Sequence, residues 1–275
     1  MNERDEVGTP LLARILDKAA TTGDRRSRVA PVDAVKVVLA AGADPDAADE
    51  STGRAPLMSA MDSFGWGPTW RDVISMLLAR GADANKRSDY GLDEDQTPLM
   101  LAVQFSGPPS FFRHGRPNSY FAALRFDMIH RLLRNGADCS QGELEECKLR
   151  GRPRTLLEMF DETEFEYDDD DDDDDGIYHP KARALLVGVA AAGSWKKYLH
   201  EPRVRLDTLR VLCARGPAVP PSGPLARLFP LWGGDVPLGV FRTILCFWHS
   251  DRDELPCCEE SAPFLSYRRS RGTAS

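Results

Sequence analysis

Four segments of the chain share one arrangement of apolar and polar positions. "VDAVKVVLAAGADPDA" begins at Val32, "RDVISMLLARGADANK" at Arg71, "FDMIHRLLRNGADCSQ" at Phe126 and "LDTLRVLCARGPAVPP" at Leu206. Each carries an apolar stripe at helical spacing, such as Val73, Met76 and Leu77 in the second, and each stripe stops at a glycine: Gly42, Gly81, Gly136 or Gly216. An aspartate (Asp33, Asp72, Asp127, Asp207) precedes each glycine by the same interval. The pattern predicts a helix between each pair, with the Asp in its first turn, where its charge meets the positive end of the dipole. The Gly is expected just past the last turn, where the backbone turns left-handed.

A second signal opens the apolar sequence that follows these breaks. It reads Thr9-Pro10-Leu11 and Thr97-Pro98-Leu99, and in weaker form Ala55-Pro56-Leu57 and Thr155-Leu156-Leu157. A Thr hydroxyl caps a helix N-terminus, and Pro suits the first turn because its missing N–H would have no partner there. Each unit is then a helix opened by "TPL", a second helix closed by Gly, and a turn-rich link to the next.

"LLARGADANKRSDYG" followed by "TPLMLAV" resembles the ankyrin repeat, as does "VVLAAGADPDAADESTGRAPLMSAM". The resemblance is clearest over residues 9–136 and fades afterwards, since Gly216 is followed by Pro-Ala rather than Ala-Asp. It implies an all-α, ankyrin-type helical solenoid whose hairpins project to one side. An ankyrin unit is ~33 residues long, and these units are longer. The surplus falls between the two helices of each unit, in "TTGDRRSRVAP" (21–31), "SFGWGPT" (63–69), "SGPPSFFRHGRPNSY" (106–120) and an acidic tract. Extending such a loop to ~45 residues costs only roughly 2 kcal/mol of closure entropy.

The last third predicts helices over Lys181–Ala192 and Arg205–Arg215, broken at Gly193-Ser194, with "SWKKYLHEPRV" partly helical between them. "DVPLGVFRTILCFWHSD" carries Leu238, Phe241, Leu245 and Trp248 on one stripe and Val240, Ile244 and Phe247 on another. A helix apolar on two sides is buried between others or against a partner, and a helical C-terminal cap on the stack is the simplest role. The expected organisation is repeats 1–3 and the start of a fourth over 1–160, a disordered acidic insertion over 161–179, a degenerate repeat and C-terminal helical module over 180–255, and a disordered basic tail over 256–275.

Charge changes this picture in one place. The formal net charge is −8, yet Asp161 to Asp175 alone holds twelve acidic residues and no basic one, so the rest is mildly basic. Consecutive aspartates repel and bury nothing. An EF-hand register fails, because with Gly176 at its sixth position Ala182 stands where a bidentate Glu is required. The tract is a solubilising linker, or it engages a basic partner or the chain's own "YRRSRG" (Tyr267 to Gly272).

Candidate chemistry is sparse. Six cysteines show no C-x-x-C spacing and five histidines are scattered, so metal-ligand spacing is missing. No P-loop, dinucleotide fingerprint or G-x-S-x-G occurs. His130 lies within "FDMIHRLL" and reads as a surface or satisfied helix residue. No enzyme, cofactor or metal is expected. The longest uncharged apolar run, Ala184 to Gly193, is shorter than the ~20 residues of a membrane span. The acidic tract opposes nucleic acid. A soluble intracellular protein with free thiols is expected, with neither nucleic acid nor membrane as its partner.

The ankyrin resemblance implies noncatalytic binding of a protein partner through hairpin tips and first helices. By position these are Asp46, Asp49 and Glu50 in the first hairpin, and Lys86, Arg87, Asp89 and Tyr90 in the second. Phe111, Phe112 and Arg113 in the third insertion are residue types that dominate partner interfaces, or the two Phe fold back over helix ends. "TLRVLC" within 206–248 faintly resembles the Elongin-C-binding start of a SOCS box, which implies Leu209 and Cys213 as adaptor contacts and a substrate receptor of a cullin-type ubiquitin ligase. Pro217 departs from that motif, and repeat packing explains Cys213 equally well.

Overall fold

The computed structural model describes residues 10–21, 32–49, 52–62, 69–88, 96–105, 118–139, 155–162, 175–216, 218–219 and 237–247. Among them every regular element is a helix and none is a strand: α1 (Leu11–Thr21), α2 (Val32–Ala40), α3 (Pro56–Asp62), α4 (Thr69–Ala79), α5 (Pro98–Gln104), α6 (Asn118–Arg134), α7 (Leu156–Glu162), α8 (Asp175–Ala192), α9 (Trp195–Ala214) and α10 (Leu238–Phe247). The chain divides into two compact units, Met1–Ala191 and Ala192–Ser275.

Within the first unit, α1 packs on α2 and α3, α3 on α4 and α5, α5 on α6 and α7, and α2 on α4. The helices opened by the "TPL" signal therefore form one row, α1-α3-α5-α7. Their starts follow the chemistry that the sequence implies. Thr97 accepts a hydrogen bond from the Met100 N–H ahead of Pro98. Thr155 and Glu158 form a reciprocal capping box, each side chain accepting from the other's backbone N–H. Ala55 has no side-chain cap to offer, and there only backbone bonds to its carbonyl start the helix.

The glycine signal holds as well. Gly42, Gly81, Gly136 and Gly216 have φ of 88°, 89°, 90° and 90°. After the first three, the next N–H reaches back over the helix end: Ala43 to Val38, Ala82 to Leu77, Ala137 to Leu132. That closure satisfies carbonyls the last turn leaves open.

The aspartate expectation holds for half of its cases. Asp33 and Asp72 lie in the first turns of α2 and α4. Asp127 instead sits deep inside α6, because "SYFAALRF" contains no breaker and the helix starts upstream at Asn118. It is buried, and its carboxylate is shared by Arg71 of α4 at 3.1 Å and Arg131 at 2.9 Å. Arg131 also donates to the Ser75 hydroxyl of α4 at 2.7 Å. Asp207 likewise lies within a long helix, α9, which runs through Pro202 from its Ser194 cap.

The fourth two-helix pair also differs from expectation. The helix that follows α7 is α8, which begins at Asp175, the last residue of the acidic run, and ends before left-handed Gly193. It buries Ala182, Leu185, Leu186 and Val189, one face at helical spacing. Residues 163–174 of the tract lie outside the described residues, but its edges are ordered helix: Asp161 at the end of α7 pairs with Arg183 of α8 through two hydrogen bonds of 2.9 and 3.1 Å. The other long insertions and the basic tail also lie outside the described residues.

Arg125 joins the row to α6. Only 1% exposed, its guanidinium donates to the carbonyls of Val103 in α5 and Phe160 in α7, and it covers the Phe160 ring at 3.8 Å from the centroid. Both carbonyls belong to last turns, where no intrahelical donor is available.

In the second unit, Cys213, Phe241 and Leu245 form a small core with Leu206, Leu209 and Ala218 packed against it. Arg210 lies 4.3 Å over the Phe241 ring, and Asp207 pairs with Arg242 of α10 at 2.9 Å.

Two glycines separate conformational strain from steric room. A Cβ at Gly81 or at Gly239 meets nothing within 4 Å, yet only Gly81 has a positive φ. Gly81→Ala should therefore destabilise by roughly 1–2 kcal/mol. Gly239→Ala, inside α10, should stabilise by about 0.5–1 kcal/mol. Chemical denaturation of both variants reads the two signs.

Candidate functional site

The three "GAD" turns are joined to one another by side chains at one repeated position. Gly42-Ala43-Asp44-Pro45 is followed by Asp46, and Gly81-Ala82-Asp83-Ala84 by Asn85. The Asp46 carboxylate accepts from the Asp83 N–H at 2.9 and 3.2 Å. Asn85 repeats this one turn later, accepting from the Asp138 N–H at 2.8 Å and donating to the Gly136 carbonyl at 3.0 Å. Asp44 and Asp83 brace their own turns by accepting from the N–H two residues on, at 2.9 and 2.8 Å. Arg80 adds a fourth link, donating to the Leu39 carbonyl in the last turn of α2 at 3.0 Å. The turns are thus a continuous polar ladder.

Asp46, expected at the first hairpin, is thus part of this ladder. Its side chain is engaged by the neighbouring turn, so it holds register. The signal was present in the sequence, since a hydrogen-bonding residue recurs at the same offset after two glycines, but its partner is a backbone N–H that no residue type advertises. Asp49 is also part of the local fold: its N–H donates to Arg54, its carbonyl accepts from Gly53 and its carboxylate from the Thr52 hydroxyl. The next turn closes in the same way, with Ser88 N–H donating to the Gln96 carbonyl. Between these bonds Lys86 and Arg87 are half-buried on the edge of the ladder. Glu50, Asp89, Tyr90, Phe111, Phe112 and Arg113 lie outside the described residues.

The adaptor candidates sit in the second unit. Cys213 is buried and Leu209 half-buried, both against α10. There they pack with Phe241 and Leu245.

Two histidines are placed where protonation is resisted. His130, expected at the surface or satisfied, is buried and lies parallel to the Phe126 ring at 6.2 Å. Burial lowers its pKa from the usual 6.5; the Asp127 carboxylate opposes this, and the Arg134 and Arg131 charges add to it. His179 stacks on Phe160 at 4.5 Å, on the ring that Arg125 also covers. Burial lowers its pKa first and Arg125 second; Asp161 opposes, and Arg183 adds a smaller push down. Burial also raises the Cys139 thiol, to about 11, with Asp138 adding to the shift. A thiol held neutral is a poor nucleophile. Cys139 and Cys213 are both free of disulfides.

Among the described residues, no group of three or more His, Cys, Asp or Glu side chains is placed to hold a metal ion, and no helix is long and apolar enough to cross a membrane. No protein-family model matches the chain, and neither does any curated protein or solved structure.

The ladder makes a signed prediction at Asp46. Burial raises its carboxyl above the usual 3.8, the Asp83 N–H opposes this, the Asp44 and Asp83 charges raise it further and Lys86 lowers it. The native state therefore binds this proton more tightly than the unfolded chain, and the charged form carries a penalty above that raised pKa. Asp46→Asn keeps the acceptor and removes the charge, as Asn85 does, and should melt above the parent at neutral pH with the difference vanishing below about pH 4. Asp46→Ala loses the acceptor and should cost about 1 kcal/mol below about pH 4, and less at neutral pH, where it also removes the charge penalty. Thermal melts across pH read both.

The two histidines set the acid side. Their folded-state pKa values lie below the unfolded value, so the stability they contribute is whole above about pH 6.5 and is lost as pH falls through that value toward the lowered ones. The melting temperature should drop in that window. The slope should flatten there in His130→Gln/His179→Gln, while the carboxylate-driven loss at lower pH remains.

Proposed function

We propose that this chain is a divergent ankyrin-repeat scaffold that binds a protein partner without catalysis, along the edge made by its turns. The observation that carries the reading is the Asp46–Asp83 and Asn85–Asp138 ladder. It ties successive turns of like sequence into one rigid edge, and a rigid edge binds without an ordering penalty on each loop. In this reading the residues that hold register and those that meet the partner are different. Asp46 and Asn85 hold register. Lys86 and Arg87 point the edge's charge at the partner, with Asp49 and Glu50 at the first hairpin, Asp89 and Tyr90 at the second, and Phe111, Phe112 and Arg113 on the insertion.

Lys86→Ala/Arg87→Ala tests the reading. Affinity capture with quantitative mass spectrometry should show partners of the parent chain depleted about tenfold or more, as expected where a hot-spot pair is removed. The melting temperature should fall only slightly, through the loss of the Lys86 charge that favours the Asp46 carboxylate. An unaltered partner profile, or a loss of stability that accounts for the depletion, overturns it.

A further inference from the structure

The second unit carries a groove that the ladder does not involve. His200, Arg203, Val204 and Asp207 form one face of α9 at helical spacing, and Arg242 and Leu245 of α10 make the opposite wall. Its volume is about 290 Å³, room for two or three side chains. The walls are pinned: Arg203 Nε donates to the Leu245 carbonyl at 3.1 Å, and Arg242 donates to Asp207 at 2.9 and 3.2 Å. Three groups that carry or accept positive charge thus surround one carboxylate. Over the whole unit, residues 192–275, twelve Lys or Arg stand against eight Asp or Glu. Between the charges lies apolar surface, with Val204 60% exposed on the rim and Leu245 beneath it.

We propose that this groove docks an acidic segment of a partner protein, with one apolar side chain seated on Val204 and Leu245 and flanking carboxylates on Arg203, His200 and Arg242. Complementary charge sets orientation and on-rate, and the apolar contact supplies the desolvated anchor. Nucleic acid fits less well. The aliphatic wall offers a base no aromatic platform to stack on. The site is separate from the edge assigned to the repeats, so either can fail alone.

Fluorescence anisotropy of the full chain with a labelled acetyl-Glu-Glu-Phe-Glu-Glu-amide peptide tests it. Saturable binding that weakens with salt is expected, as is none with the Lys-for-Glu counterpart. Val204→Asp and His200→Glu alter exposed positions and should each weaken binding about tenfold or more with unchanged melting curves; if Val204→Asp melts early, His200→Glu decides. Absence of saturable binding overturns the proposal. So do full binding by both variants, or equal binding of a single-stranded oligo-dT that the same variants abolish.

Discussion

A helix of seven residues does not stand alone in water. α3, α5 and α7 each have that length, too short to repay the entropy of nucleation by propagation. They exist because each is covered by its neighbours, and α5, which buries Pro98, Leu99, Met100, Ala102 and Val103, has almost no face left for solvent. Stacking is therefore the condition under which the short helices form at all. Crowded short helices create a second problem, since their ends are close together and each end leaves carbonyls without donors. The chain answers it repeatedly with arginine. Arg125 serves α5 and α7, in the second unit Arg203 serves α10, and Arg80 adds a second donor to the Leu39 carbonyl of α2, which already accepts from the Gly42 N–H. In every case the acceptor lies in a last turn, where a cation also meets the negative end of the dipole.

Arg125 shows how far this can go. A guanidinium with 1% exposure is costly unless its protons are satisfied and its charge is spread. Two carbonyls and the face of the Phe160 ring meet part of this need, and Arg125 helps to lower the pKa of His179 on the same ring. Asp127 is the matching case of opposite sign, a buried carboxylate held by two arginines from two helices. Removing either partner from such a group costs more than the interaction is worth, because the other is left buried and charged. The polar core of α6 thus fixes which helices can be neighbours.

What the sequence makes legible follows from which partners leave a residue-type signature. Left-handed glycines and threonine caps are recognisable because few side chains suit those backbone positions, and Gly81, Gly136, Thr97 and Thr155 all behave as their types dictate. Asp127 and Asp207 resemble Asp33 in spacing but not in role, because the helix start depends on what lies upstream, and "SYFAALRF" and "KKYLHEPRV" carry no breaker strong enough. The start of α8 is hidden for a related reason. A run of aspartates reads as unstructured, yet its last member is suited to a helix N-terminus. Asp46, Asn85 and Arg125 were not legible as structural residues because their partners are backbone atoms, which every residue supplies.

The placement of the insertions now has a physical reason. The ladder runs through the turns after Gly42, Gly81 and Gly136, and there the spacing from one unit to the next is constrained by hydrogen bonds between turns. The links at 22–31, 63–68, 106–117 and 163–174 all join the first helix of a pair to its second, α1 to α2 through α7 to α8. Among the described residues no ladder bond lies on that side of a pair, and the closure entropy of a longer link grows only with the logarithm of its size. One side of each unit is held to register and the other is free to vary. A chain built this way can acquire aromatic, basic or polyaspartate loops without disturbing the stack that carries them.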